Sequence, residues 1–391
     1  MIEKIRDNHF FEKMIKLQGP SIVYNFDFIK FIIDSIREDI FKHVKNKSKI
    51  KLYYSCKANT NPEVLAFLNP LVDGFDVASK YEFNKVKEFE NNISFTSPHI
   101  EEETLHELYF TDNIFDFNSI GQLQKFAPHL KNREIGLRIN AELEDSNKTI
   151  FGEKSRFGID FNDLRLVDII NTYSLRIKKI HFHTGEKNIS ISRNLLKLVE
   201  EILDNEIYNQ LEIIDIGGGL FNIYRKQKDV ETFWRMINDF SNAHPKLNLI
   251  IEPGNLLLAM SGYLIASVGD ISFNENNNRI ANLTLNVSSH NIFTWNRPNL
   301  IFPKKSLENN PDAVLCNIYG ATCYEMDFFV TDFLLDKKHL KIDSKFIFGP
   351  VGAYVKANAK NLHDYPFPKE YYFIEGNIHE RLEMFSDSYS I

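Results

Sequence analysis

The chain has 391 residues, 43% of them apolar, 25% charged and 13% aromatic, enough apolar mass for a large core, so disorder is excluded as the dominant state. Lys and Arg number 46 against 53 Asp and Glu, a formal charge of -7, and the two signs are interspersed, which argues against a general nucleic-acid binder. The opening MIEKIRDNHFFEKMIK lacks the apolar stretch of a signal peptide, and the longest apolar run, Leu256 to Val268, is too short for a bilayer and carries Ser261 and Gly262. A cytoplasmic protein with no membrane partner is expected. Cys56, Cys316 and Cys323 are odd in number and lack CxxC spacing, so neither a disulfide framework nor a thiolate zinc site is predicted.

Along the chain, β-branched or aromatic runs recur: KLYYSCK (51–57), GFDVAS (74–79), ISFTS (93–97), IFDFNS (114–119), IGLRIN (135–140), KKIHFH (178–183), LEIIDI (211–216) and NLIIE (248–252). Helix-like segments separate them. In the first, Asn61 can cap, Pro62 suits the first helical position, and Val64, Leu65 and Leu68 share a face. Strands alternating with helices predict parallel βα units, and eight such units predict a closed (β/α)8 TIM barrel with its chemistry at the C-terminal ends of the strands. Past residue 265, ASVGDISF, RIANLTLNVS, AVLCNIYG and KFIFGPVGAYV predict a mostly antiparallel β domain. The expected organisation is an N-terminal segment 1–26 packing with that domain, a barrel over 27–265 and the β domain over 266–391.

Polar groups gather at the predicted strand ends: Lys57, Asp76 with Ser79, Thr96, Asn118 with Ser119, Arg138, His183, Gly217 to Gly219, and Glu252 before Pro253-Gly254. Thr96 and Asn118 alone read as ordinary strand stops. A lysine in a barrel mouth is costly unless paired or used covalently, so Lys57 points to Schiff-base chemistry, with a surface lysine as the bland alternative. Alternation turns Cys56 the other way, into the core. The triple glycine can expose consecutive N–H groups to an anion, or only make a tight turn; its spacing is not that of a dinucleotide fingerprint. Glu252 could hold a ring nitrogen protonated, or simply pair with Arg138. His181 and His183 share a strand face, but no second ligand cluster accompanies them as a metal site would require. His183 is better placed to stack on an aromatic cofactor.

In this order YSCKAN, GFDVAS, LRIN, HFHTG, DIGGGL, IEPG, GATCYEMD and GAYV resemble the fold type III pyridoxal-phosphate decarboxylases, which act on ornithine, arginine, diaminopimelate or carboxynorspermidine. The resemblance implies an alanine-racemase-like barrel plus β domain, pyridoxal 5'-phosphate as cofactor, and a head-to-tail homodimer with two shared active sites that take a small amino-acid substrate. It further implies that Lys57 carries the cofactor as an imine, Glu252 pairs with the pyridine nitrogen and His183 stacks on the ring. Gly217, Gly218, Gly219, Gly254 and Tyr354 would hold the phosphate, while Arg138 and Asp76 tune the surroundings. Cys323 and Asp327 would enter from the partner, Cys323 as the acid that reprotonates the α-carbon.

Two phosphate contacts of many relatives are replaced, a serine by Glu186 and an arginine by Asn255. Tyr324, followed by Glu325, stands where ornithine-type relatives carry an acid, and Arg297-Pro298 resembles the diaminopimelate branch, whose arginine grips a substrate carboxylate. The expected reaction is decarboxylation of an amino acid of the diaminopimelate, ornithine/lysine or carboxynorspermidine type. A fold-related racemase and an inactive regulatory homologue of ornithine decarboxylase are the alternatives.

Overall fold

The computed structural model describes residues 8–111, 113–143, 155–274, 277–292 and 297–380. Two compact units divide the chain: Ile32–Leu256, and a second made of the residues up to Phe31 together with those from Leu257 onward.

In chain order, β1 (Ser21–Asn25) belongs to the second unit. The first unit is a closed barrel of β2 (Ile50–Ser55), β3 (Gly74–Val77), β4 (Asn92–Thr96), β5 (Ile114–Phe117), β6 (Glu134–Arg138), β7 (Arg176–His181), β8 (Ile213–Asp215) and β9 (Asn248–Ile251). Each strand pairs in parallel with the next, and β2 closes on β9 through Ile50↔Leu249 and Leu52↔Ile251. These are the eight predicted runs, in the expected (β/α)8 arrangement. Strands covered on both faces read as near-continuous apolar letters, which is why they stood out.

The helices follow from local chemistry. Asn61 Oδ1 accepts from the amides of Glu63 and Val64, Pro62 opens the helix Pro62–Leu68, and Val64, Leu65 and Leu68 are buried. Ser79 and Ser119 are also N-caps, accepting from the amides of Glu82 and Gln122. Their place at a strand end is thus explained by the helix that starts there. The helix Ile189–Leu203 buries Ile191, Leu195, Val199 and Ile202, a stripe at helical spacing, and each such side chain contributes about 1.5–3 kcal/mol on burial.

The second unit is a nine-stranded sheet. To β1 it adds β10 (Gly262–Asn274), β11 (Asn277–Leu285), β12 (Asn299–Phe302), β13 (Ala313–Tyr319), β14 (Phe328–Asp336), β15 (Lys345–Gly349), β16 (Lys369–Ile374) and β17 (Asn377–His379), in the order β14-β13-β11-β10-β1-β16-β17, with β15 pairing β10 and β12. The β1–β16 and β11–β13 pairs are parallel and the others antiparallel. Gly262 to Ile265, which the sequence reading assigns to the barrel, are the first four residues of β10. Phe10, Met14, Val23, Tyr263, Ile265, Ile347 and Phe373 form a core cluster of this unit. No helix among the described residues is long and apolar enough to cross a membrane.

Candidate active site

The interior of the barrel carries charge. With a side-chain period of two, Ser94 and Thr96 share a face of β4 and Lys179 and His181 a face of β7. The Lys179 ammonium lies 2.8 Å from Asp116 Oδ2 and 3.0 Å from Asp215 Oδ2 and donates to Ser94 Oγ at 2.5 Å. His181 Nδ1 stands 2.9 Å from Thr96 Oγ1 and 3.3 Å from Asp116 Oδ2, and its Nε2 is 3.5 Å from Glu252 Oε2. Ser94 Oγ donates to Glu252 Oε1 at 3.3 Å. The ionic partner of Glu252 is therefore His181, not Arg138.

All these carboxylates and cations are buried. Burial pushes Glu252 toward its neutral form, but the positive His181 and Lys179 prevail and hold it well below the usual carboxylate range. Burial likewise opposes the charge on His181, yet Glu252, Asp215 and Asp116 push it up to about 9. Burial and the neighbouring Glu252 raise Asp215 to about 8.

At the C-terminal ends of the strands, Lys57 sits in the tight turn Cys56–Ala58 that follows β2, with Nζ 3.1 Å from Asp76 Oδ2. Ser55 Oγ donates to the same oxygen at 2.6 Å. Cys56 is fully buried. β7 stops at His181, so His183 lies just past its end. Burial, followed by the charges of Lys57, Lys187 and Arg138, holds the His183 imidazole neutral, and its buried Nδ1 has no hydrogen-bond partner. Arg138, ending β6, lies with Cζ 4.5 Å over the Phe157 ring.

Gly217 and Gly219 follow β8 with φ of 68° and 80°, and a Cβ on either would strike a carbonyl, that of Phe182 or Gly185. The amides of Gly218 and Gly219 donate to no group among the described residues. A Cβ on Gly254 would stand 2.9 Å from Ala58 Cβ, so β9 and the lysine turn approach closely only because the residue is glycine.

The sequence reading missed Lys187. It is fully buried, its Nζ donates to Gly218 O at 2.5 Å and its amide to Gly219 O at 2.6 Å, which ties the segment after β7 to the glycine turn. Burial lowers this amine to about 8. Its neighbour Glu186 is exposed.

A phosphorylated pyridine aldehyde needs an amine to carry it, unpaired amides for its phosphate, an ionised carboxylate for its ring nitrogen and a neutral flat group for its face. Lys57, the glycine turn, Glu252 and His183 meet those needs at one end of one barrel. The family described as "Pyridoxal-dependent decarboxylase, pyridoxal binding domain" matches residues 33–259, more than half of the chain. The chain belongs to the pyridoxal-dependent decarboxylases.

This decarboxylase is 24% identical over 370 residues to the probable ornithine decarboxylase of Dictyostelium discoideum, covering 85% of this chain and 76% of that one. It is 27% identical over 335 residues to the carboxynorspermidine/carboxyspermidine decarboxylase of Campylobacter jejuni, covering 81% and 84%. The diaminopimelate decarboxylase of Helicobacter pylori, solved with L-lysine, has the same fold, with a TM-score of 0.75 at 20% identity over 95% of this chain and 96% of that one. Membership fixes pyridoxal phosphate as the cofactor and amino-acid decarboxylation as the class of reaction.

In the second unit of the decarboxylase, Cys323, Tyr324 and Glu325 are exposed on the loop between β13 and β14, and the Tyr324 ring packs 5.7 Å from that of His290. Asp327 is turned inward. Its carboxylate accepts from the amide and hydroxyl of Ser289 at 2.8 and 2.7 Å, and from those of Thr322 at 3.1 and 2.7 Å. Four donors commit it to holding the loop that presents Cys323. Arg297 lies 3.6 Å over the Phe328 ring and lines a cavity with His290, Pro298, Met326 and Phe329. Tyr354 has a φ of 59°, and its carbonyl accepts from Asn358.

Proposed function

We propose that this chain decarboxylates an α-amino acid bearing a second amino group, the feature common to diaminopimelate, ornithine, lysine and carboxynorspermidine. The carrying observation is the convergence of Lys57, paired at 3.1 Å with Asp76, with Glu252 and two unpartnered glycine amides at one barrel end. When bound, pyridoxal phosphate supplies the electron sink for the bond to the departing carboxylate. Lys57 is the amine that anchors it, and Asp76 keeps that amine oriented. The ionised Glu252 favours a protonated ring nitrogen, the form that draws electrons best. His183, neutral, offers its face to the ring, and Gly217 to Gly219, Gly254 and Tyr354 bind the phosphate.

A homodimer with shared sites brings Cys323 from the partner as the proton donor at Cα, a role open to an exposed thiol. Tyr324, Glu325 and Arg297 then meet the distal end of the substrate. Asp327 serves that loop from behind.

The test is reduction of the holoprotein with borohydride and peptide mapping by mass spectrometry, together with CO2 release from a panel of L- and D-amino acids including carboxynorspermidine. The expected result is a cofactor adduct on Lys57 and CO2 from a substrate with a distal amine. Absence of the adduct would end this reading. An adduct with no CO2 from any member of the panel would favour the regulatory homologue.

A further inference from the structure

A barrel interior is ordinarily filled by layers of Val, Ile and Leu, and buried ion pairs are often no more stable than apolar residues of equal size. Here Asp116, Lys179, His181, Asp215 and Glu252 occupy that space, all buried. Stability alone gives no reason for such a layer. Its geometry runs toward one member. Ser94 holds Lys179 at 2.5 Å and Glu252 Oε1 at 3.3 Å, and His181 spans Asp116 and Glu252 with its two ring nitrogens. Glu252 Oε2 is buried, lies 3.5 Å from an imidazole nitrogen and has no hydrogen-bond partner. That separation is an ion pair rather than a hydrogen bond, so the oxygen keeps a lone pair for another N–H.

We propose that Lys179 and His181 are positioning residues which, braced by Asp116, Asp215 and Ser94, hold Glu252 ionised and aimed so that the site selects a cofactor with a protonated ring nitrogen. The proposal rests on the reading of Glu252 as the ring-nitrogen partner. Arg138 and Lys187 also lie within electrostatic range of Glu252. The braced pair differs from them in touching Glu252 directly, through His181, or by one hydroxyl, through Ser94. A freely hydrated carboxylate would be ionised at neutral pH without help; a desolvated one needs fixed positive charge nearby.

The experiment measures binding rather than turnover. Apoprotein is titrated by fluorescence quenching with pyridoxal phosphate and with its 1-deaza analogue, whose ring nitrogen is replaced by CH. Wild type is expected to prefer the natural cofactor at least tenfold. Lys179→Met and His181→Asn are expected to cut that preference to threefold or less, with affinity for the analogue little changed. Glu252→Gln is the control. If wild type shows no preference, the reading of Glu252 itself fails. If Glu252→Gln abolishes the preference while Lys179→Met and His181→Asn retain it in full, the brace is overturned and the reading of Glu252 stands.

Should the charge-deleting variants not fold, Ser94→Ala, which leaves every charge in place, is expected to lower the preference several-fold. Independently, 15N spectra of labelled histidine in wild-type apoprotein at pH 7.5 are expected to show His181 as the imidazolium. A neutral ring there, or an unchanged preference in Ser94→Ala, would overturn the proposal.

Discussion

His181 Nε2 lies 3.5 Å from Glu252 Oε2, with both side chains buried in the barrel. This pair makes the stability of the protein depend on pH with a definite sign. The folded state keeps the imidazole proton up to about 9, whereas the unfolded chain releases it near the ordinary histidine value, about 6.5. Between those limits the native state binds more protons, so this contribution is complete below the lower limit and is lost as pH rises through the upper one. The difference in unfolding free energy between wild type and His181→Asn is expected to fall by about 3 kcal/mol over that window. Urea melts of both proteins at a series of pH values check it. A flat difference would mean the ring is neutral.

Lys187 is expected to act with the opposite sign. Its folded value is lowered to about 8 by burial, while the unfolded lysine titrates near about 10.4. Between these the unfolded state binds more protons, and stability rises with pH. The difference between wild type and Lys187→Met is expected to grow by about 3 kcal/mol from pH 7 to pH 10.5. The same variant loses the tie to Gly218 O, so its affinity for pyridoxal phosphate is expected to drop, read by cofactor absorbance after dialysis.

A Cβ at Gly136 on β6 would fall on Asp116 Oδ1 of β5. Gly136→Ala is therefore expected to displace Asp116 or the strand, at a cost of about 1–3 kcal/mol. Gly121, whose Cβ would meet nothing within 4 Å, is the matched control, and Gly121→Ala is expected to be neutral or stabilising. Chemical denaturation of the two variants decides. Equal stabilities would show that Asp116 has room to move.

The barrel was legible because parallel strands buried on both faces leave continuous runs such as NLII in β9, and because a strand must end where Lys57, the glycine turn and Glu252 stand. The ionic floor was not. Lys179 and Asp116 are single polar letters inside short strands, and only register, with Gly136 opposite both Asp116 and Lys179, turns them toward one another. Ser79 and Ser119 were gathered with the mouth residues although they cap helices, since the C-terminal end of a strand in this fold is also the approach to the next helix N-terminus. Lys187 gave no signal, because nothing in the letters after Gly185 tells a buried lysine from a solvated one. In the second unit the four runs read as strands, but the parallel pairing of β1 with β16 joins residues too distant in the chain for any local pattern to link.

Cys323 is exposed, whereas Cys56 and Cys316 are buried, and burial raises both of the buried thiols further from their reactive form. Native protein is thus expected to react with Ellman's reagent at one thiol per chain, and Cys323→Ser to abolish the reaction. If that thiol donates the proton at Cα, Cys323→Ala lowers kcat by about 100- to 10,000-fold, the usual range for losing a general acid, while cofactor absorbance stays unchanged. A more telling result is the product. With Cys323 absent, solvent would have to supply the proton without a fixed face, so decarboxylation in D2O is expected to give loss of stereospecific labelling at Cα. Retained rate and retained stereospecificity in Cys323→Ala would remove the thiol from the chemistry and leave it as an exposed loop residue.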